Sequence, residues 1–82
     1  MYQTEITLAN TSARQLIDTG RRFSQLIIFA KTTNSGVVNV GNATDQTFPV
    51  AAGGSLSFED VDPAEIYIKG TAEDVIEILG IV

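Results

Sequence analysis

The sequence predicts an all-β fold, a single small antiparallel β-sandwich or jelly-roll-like domain of about eight short strands spanning residues 1–82. Thr, Val and Ile account for 25 of the 82 residues, and such β-branched side chains suit the pleated surface of a sheet. Short apolar or alternating runs are cut at nearly even spacing by turn signals such as Asn34-Ser35-Gly36 and Gly41-Asn42. Apolar residues at helical spacing are scarce, which is consistent with strands along most of the chain.

The first strand is predicted at residues 2–8, where Tyr2, Thr4, Ile6 and Leu8 alternate with polar residues and would share one face. The other strands are predicted at residues 13–18, 23–31, 37–41, 46–50, 55–59, 65–69 and 74–80. The strand order remains open between a jelly roll and another Greek-key sandwich.

Two prolines give positional predictions. Pro49 cannot donate a hydrogen bond to a neighbouring strand, so its strand is expected at a sheet edge or to end there. Asp62-Pro63-Ala64-Glu65 resembles a helix N-cap followed by proline at the first helical position. Because Ile-Tyr-Ile-Lys follows, we expect at most one short helical turn there.

The small size of the chain favours self-association. An 82-residue chain buries only about 60–65% of its unfolded surface, and such domains usually gain stability from disulfides, a metal or oligomerisation. The sequence has no Cys and no His, which removes disulfides and the main ligands of zinc, iron and copper. Oligomerisation remains, with an oxygen-ligated calcium site as the other option, and no cofactor is expected.

The charge argues against nucleic acid as a partner. The net charge is −5, and an acidic domain repels the phosphate backbone. Residues 1–44 carry four basic and two acidic residues, whereas residues 45–82 carry eight acids and only Lys69. This asymmetry favours solubility, or contact between unlike faces of neighbouring copies. No apolar stretch approaches the roughly 20 residues of a membrane span, and the N-terminal residues do not resemble a signal peptide. We therefore expect a soluble protein made in a cytoplasm, with no membrane contact.

Two apolar segments predict a protein contact. Residues 26–30 are apolar on both faces of their predicted strand, and the end of the chain is also apolar. Exposed apolar surface of this kind usually marks an interface, although a monomer could bury both segments by crossing its own strands. The predicted oligomer interface comprises Leu26, Ile27, Ile28, Phe29, Ile78, Leu79, Ile81 and Val82.

No motif demonstrates a chemistry, so the protein is not expected to be an enzyme, and no catalytic residue is assigned. Leu16-Ile17-Asp18-Thr19-Gly20 resembles the core of the aspartic-protease signature. Arg21 stands where that signature has a small residue, and Asp-Thr-Gly is also an ordinary turn. Gly53-Gly54-Ser55 lacks the lysine of a phosphate-binding loop and predicts a turn.

The acidic residues Glu59, Asp60, Asp62 and Glu65 could supply oxygens to calcium, but their spacing matches no EF-hand loop. Solvated carboxylates are the expectation, and no metal site is assigned. The four Phe residues are expected in the core, and the absence of Trp weakens a sugar-binding interpretation.

Three segments carry a resemblance to a protein family: Val-Val-Asn-Val-Gly-Asn at 37–42, Phe-Pro-Val-Ala-Ala-Gly-Gly-Ser-Leu-Ser-Phe at 48–58, and Ile-Tyr-Ile-Lys-Gly-Thr-Ala-Glu-Asp at 66–74. In these segments the chain resembles small tailed-bacteriophage virion structural proteins, over roughly residues 24–82. The resemblance implies a capsid decoration or cement protein that forms a symmetric homo-oligomer, with a trimer favoured. It also implies location in the virion and contact with the major capsid protein or another virion protein. The alternative is a receptor- or glycan-binding module of a fibre or tail.

Overall fold

A computed structural model describes residues 1–17 and 22–82 of the chain. Within them the chain forms eight strands and one short 3₁₀ helix. The strands are β1 (Tyr2–Thr7), β2 (Arg14–Gln15), β3 (Phe23–Ala30), β4 (Val38–Gly41), β5 (Gln46–Val50), β6 (Ser55–Val61), β7 (Tyr67–Lys69) and β8 (Val75–Ile81). The 3₁₀ helix, Pro63–Glu65, lies between β6 and β7.

The strands form two packed four-stranded antiparallel sheets. The first sheet has the order β1-β8-β3-β6, and the second has the order β2-β7-β4-β5. The chain therefore folds back between β4 and β5, so that β4 pairs with β5, β3 with β6, β2 with β7 and β1 with β8. This arrangement is the jelly roll, in which two Greek keys form a double sheet. The predicted all-β sandwich is confirmed, and the question of strand order is answered.

The core lies between the two sheets and follows the alternation of each strand. In β8, and in β3 from Leu26 to Ala30, every second residue points inward and is almost completely buried, which follows from the two-residue period of a strand. In β1, Tyr2, Thr4 and Ile6 form the more buried side, as predicted. The buried apolar residues are Leu8, Leu16, Phe23, Leu26, Ile28, Ala30, Val38, Val40, Val50, Ile66, Ile68, Ile76 and Ile78.

The turn and edge predictions are confirmed. Asp62 caps the 3₁₀ helix by accepting a hydrogen bond from the Ala64 N–H (2.9 Å), and Pro63 occupies its first turn. Pro49 lies in β5, which is an edge strand of the second sheet. Gly53 has φ +82° in the turn between β5 and β6, a conformation that glycine adopts without a steric penalty.

Two predictions need correction. The second strand was expected at residues 13–18, but β2 covers only Arg14–Gln15, and residue 18 lies outside the described residues. Not all four Phe residues belong to the core. Phe29 is half-buried on the outer face of the first sheet, and the side chain of Phe48 is 58% exposed. Phe48 lies on an edge strand, where the opposite sheet covers it only in part.

Candidate functional site

Three of the eight residues predicted to form an oligomer interface belong to the core. Leu26 and Ile28 of β3 and Ile78 of β8 are at most 1% exposed. They point toward the second sheet, because the strands alternate between inward and outward side chains. These side chains stabilise the fold and are not accessible to a partner.

The other five predicted interface residues remain at least partly accessible. Ile27, Phe29 and Leu79 are half-buried on the outer face of the first sheet, whereas Ile81 and Val82 are 48% and 64% exposed. Ile27 lies directly opposite Leu79 in the antiparallel register, a position at which side chains contact each other. Ile27, Phe29, Leu79 and Ile81 therefore form a continuous apolar strip across β3 and β8, which we call the outer patch.

An open concavity of about 540 Å³ lies over the outer patch. It is lined by Ile27, Phe29 and Leu79 together with Gln3, Thr4, Glu5, Glu77 and Ile78. Its centre is thus apolar, and its rim carries polar groups from β1 and β8. An apolar centre within a polar rim is the usual anatomy of a protein–protein interface.

Lys31 organises one end of this rim. Its Nζ lies 2.9 Å from Glu5 Oε2 and 3.5 Å from Glu77 Oε1. The hydrogen bond to Glu5, helped by the charge of that carboxylate, raises the pKa of Lys31 above its ordinary value. Because all three side chains are partly exposed to solvent, the pairs contribute little to stability. They do fix the positions of charges beside the outer patch.

The structure shows a second polar feature, at Asp74, which no pattern in the sequence indicates. Asp74 is only 4% exposed and is the one charged residue that is buried among the described residues. Its Oδ1 accepts hydrogen bonds from Ser35 N (2.9 Å) and Ser35 Oγ (3.1 Å), and its Oδ2 accepts one from Gly36 N (3.0 Å). The hydrogen bond from the Ser35 backbone, aided by that from Gly36, lowers the pKa of Asp74 despite its burial.

Asn34 strengthens the same connection. Its side chain donates to the Val75 carbonyl (2.9 Å) and accepts from the Val75 N–H (2.7 Å). Together, Asn34 and Asp74 join the β3–β4 loop to the start of β8. No sequence signal links these residues, because about 40 positions separate them. The β3–β4 loop is therefore fastened to the first sheet.

The sandwich is incompletely closed between the edge strands β5 and β6. Phe48 lies opposite Val40 in the register and so shares its core-facing side. Val40 is 2% exposed, whereas Phe48 is 58% exposed. The inward side of β5 is thus left partly open at the sheet edge.

This opening forms an apolar cleft of about 260 Å³, which we call the edge cleft. Its lining residues are Val40, Gly41, Phe48, Leu56, Phe58 and Ile66. The sequence offered no signal for it, since each of these residues fits a core position in its own strand. The volume is below the roughly 300–1,000 Å³ of small-molecule pockets, so the cleft suits one or two side chains of a partner.

The acidic cluster considered for calcium serves other purposes in the structure. Asp60 Oδ1 lies 2.9 Å from Arg22 Nε, and Asp62 caps the 3₁₀ helix. Within residues 1–17 and 22–82, no group of three or more acidic side chains could hold a metal ion. Asp60 and Asp62 are thus engaged by groups of the protein itself.

The protease-like motif lies outside the described residues, since these do not include Asp18, Thr19, Gly20 or Arg21. Leu16, which precedes them, is buried and donates its N–H to the Ile66 carbonyl (2.8 Å). The Gly53-Gly54 segment is a turn, as predicted, in which Gly53 N donates to the Ala30 carbonyl (2.8 Å).

Among the described residues, none of the helical structure is long and apolar enough to cross a membrane. The chain matches no known family model, no curated protein and no solved structure.

Proposed function

We propose that this protein is a non-enzymatic structural component of a bacteriophage virion, namely a capsid decoration or cement protein that assembles as a symmetric homo-oligomer. The observation that carries the proposal is the outer patch. A small jelly-roll protein leaves Ile27, Phe29, Leu79 and Ile81 on the outside of a sheet, where they lose the benefit of burial unless a partner covers them.

The size of the first sheet limits how the protein can self-associate through this face. Four strands about 4.8 Å apart and about seven residues long give a face of about 19 by 23 Å. Its flat area of about 440 Å² is below the roughly 600 Å² per partner at the lower limit of stable interfaces. A stable contact must therefore use the relief of the whole face and its charged rim, and not the outer patch alone.

The jelly-roll topology supports the link to a capsid. Closed oligomers of one chain match the local three-, five- or six-fold axes of a particle, and double-sheet jelly rolls occur in viral capsid proteins. We favour a trimer, bound to the major capsid protein or another virion protein. This assignment to the virion rests on fold analogy and on the resemblance of residues 37–42, 48–58 and 66–74.

The proposal is tested with two lysine variants. Ile27→Lys places a charge in the outer patch and should reduce the mass measured by light scattering to that of a monomer. Thr47→Lys adds the same charge at an exposed position of β5 in the second sheet and should keep the parent mass. Circular dichroism checks that both variants fold. Equal oligomeric mass in both variants would show that the outer patch is not the interface.

A further inference from the structure

We propose that the edge cleft receives an extended segment of a different protein, in which apolar side chains alternate with Lys or Arg. The segment adds as a strand beside β6 and inserts an apolar side chain between β5 and β6. This inference does not depend on the virion assignment, because it rests on the geometry and charge of the cleft.

The backbone of β6 provides the docking edge. β6 pairs with β3 on one side and forms the end of the first sheet on the other. About every second one of its seven residues therefore directs its N–H and C=O groups to the free side, where no other strand of the described chain pairs with them. The facing edge strand β5 is shorter and contains Pro49, which has no N–H to donate. β6 is the better template for an added strand.

The side chains of β6 determine the pattern of the segment. Leu56 and Phe58 point inward and line the edge cleft, whereas Ser57 and Glu59 are exposed on the other side of the strand. A strand added beside β6 has the same two-residue period. Its inward side chains enter the cleft and should be apolar, and its outward side chains lie next to Glu59.

Charge complementarity determines which outward side chains are favoured. Three lining residues have an acidic residue as a neighbour: Phe58 precedes Glu59, Ile66 follows Glu65, and the backbone of Gly41 packs against that of Asp45. All three acidic residues are exposed. Arg22, a basic residue at this end of β3, already forms an ion pair with Asp60. A basic segment is therefore attracted, and an acidic one is repelled.

The charge of Glu59 argues against a second copy pairing edge to edge. Two antiparallel β6 strands paired about their central Phe58 would place Glu59 of one chain diagonally across from Glu59 of the other, about 7–8 Å apart, where like charges repel each other. Asp60 also has φ +50°, and such an irregularity interrupts regular pairing at that end of the strand. The proposed occupant is thus a different chain.

The test uses two capped peptides with opposite charges, acetyl-Lys-Phe-Lys-Leu-Lys-amide and acetyl-Glu-Phe-Glu-Leu-Glu-amide, titrated into the full chain. Binding is followed by amide chemical shifts in ¹⁵N-labelled protein. The basic peptide should shift the amides of β6 and bind at least about tenfold more tightly than the acidic one. Phe48→Ser, which alters an exposed side chain, should weaken binding of the basic peptide at least about fivefold.

Glu59→Lys should invert the charge preference, whereas Leu79→Ser, in the outer patch, should leave peptide binding unchanged. The proposal is overturned if neither peptide binds, if both bind equally well, or if the shifts centre on β8. Loss of oligomers in Leu79→Ser with unchanged peptide binding separates this inference from the proposed assembly.

Discussion

The carboxylate of Asp74 shows how one side chain can fix a loop distant in sequence. Its two oxygens accept hydrogen bonds from different residues. Oδ1 accepts from the backbone N–H and the hydroxyl of Ser35, and Oδ2 accepts from the backbone N–H of Gly36. A carboxylate is suited to this position since it only accepts hydrogen bonds. The part-buried backbone donors of Ser35 and Gly36 thereby find partners.

Asp74→Asn should therefore destabilise the protein. One side-chain oxygen becomes an NH₂ group, which faces either Gly36 N–H or the Ser35 donors and cannot accept a hydrogen bond. We expect the melting temperature at pH 7 to fall by at least about 4 °C. Asp45→Asn, at an exposed loop position, is the matched control and should change it by less than about 2 °C. Equal melting temperatures for parent and Asp74→Asn would contradict this role.

The lowered pKa of Asp74 makes the effect dependent on pH. A depressed folded-state pKa contributes stability that is complete above the ordinary Asp value and is lost as pH falls through the folded-state value. The difference in melting temperature between the parent and Asp74→Asn should thus be largest near neutral pH and narrow below about pH 4. Thermal scans from neutral to acidic pH measure it, and a constant difference would argue against an ionised Asp74.

Gly80 lies where the packed core leaves no room for a side chain larger than hydrogen. A Cβ at this position would lie 2.3 Å from two ring carbons of Phe23. Phe23 is 1% exposed and also packs against Tyr2, with ring centroids 5.6 Å apart. The ring has little room to move, because neighbouring side chains surround it.

Gly80→Ala should consequently be destabilising although alanine is the smallest side chain that can be added. Overpacking of this kind costs about 1–3 kcal/mol, measurable as a lower urea midpoint at unchanged slope. Ser57→Ala, on the exposed side of β6, should change the free energy of unfolding by less than about 0.5 kcal/mol. A neutral Gly80→Ala would mean that Phe23 can shift.

Strand β3 carries the main lesson at the scale of the element. Its central residues are apolar on both faces, so the sequence could not distinguish the core side from the outer side. The register resolves this, because Ile28 faces the second sheet and Ile27 faces outward. One strand thereby serves both the core and the outer patch.

The two isoleucines should respond differently to truncation. Ile28→Ala should cost about 2–5 kcal/mol because it leaves a cavity in the core. Ile27→Ala should cost about 1 kcal/mol or less in dilute monomeric protein, where its side chain is already partly hydrated. Urea unfolding at low protein concentration gives both values. Similar losses at the two positions would contradict the assigned faces.

Much of the secondary structure could be predicted from the sequence, because alternation and turn residues are local signals. The bounds of β3, β5 and β8 agree with prediction to within about one residue, and β5 was expected at an edge. The strand pairing could not be predicted, since it depends on contacts between distant segments. The Asp74 connection and the edge cleft could not be predicted for the same reason, because each depends on contacts between distant segments. The residues that line the cleft fit ordinary strand positions in the sequence.

At the scale of the whole molecule, the jelly roll pairs the first described strand with the last and places β8 between β1 and β3. This arrangement brings the apolar residues of β3 and β8 together, although about 50 residues separate them. The first sheet can therefore offer a partner a single apolar surface, flanked by Lys31, Glu5 and Glu77.

Native mass spectrometry of the unmodified protein across the micromolar range tests the central claim most directly. The proposed assembly through the outer patch predicts one closed oligomer of defined size, a trimer by our expectation, in equilibrium with monomer at the lowest concentrations. A monomer at every concentration would contradict self-assembly through this face, and an open series of increasing sizes would contradict closed symmetry.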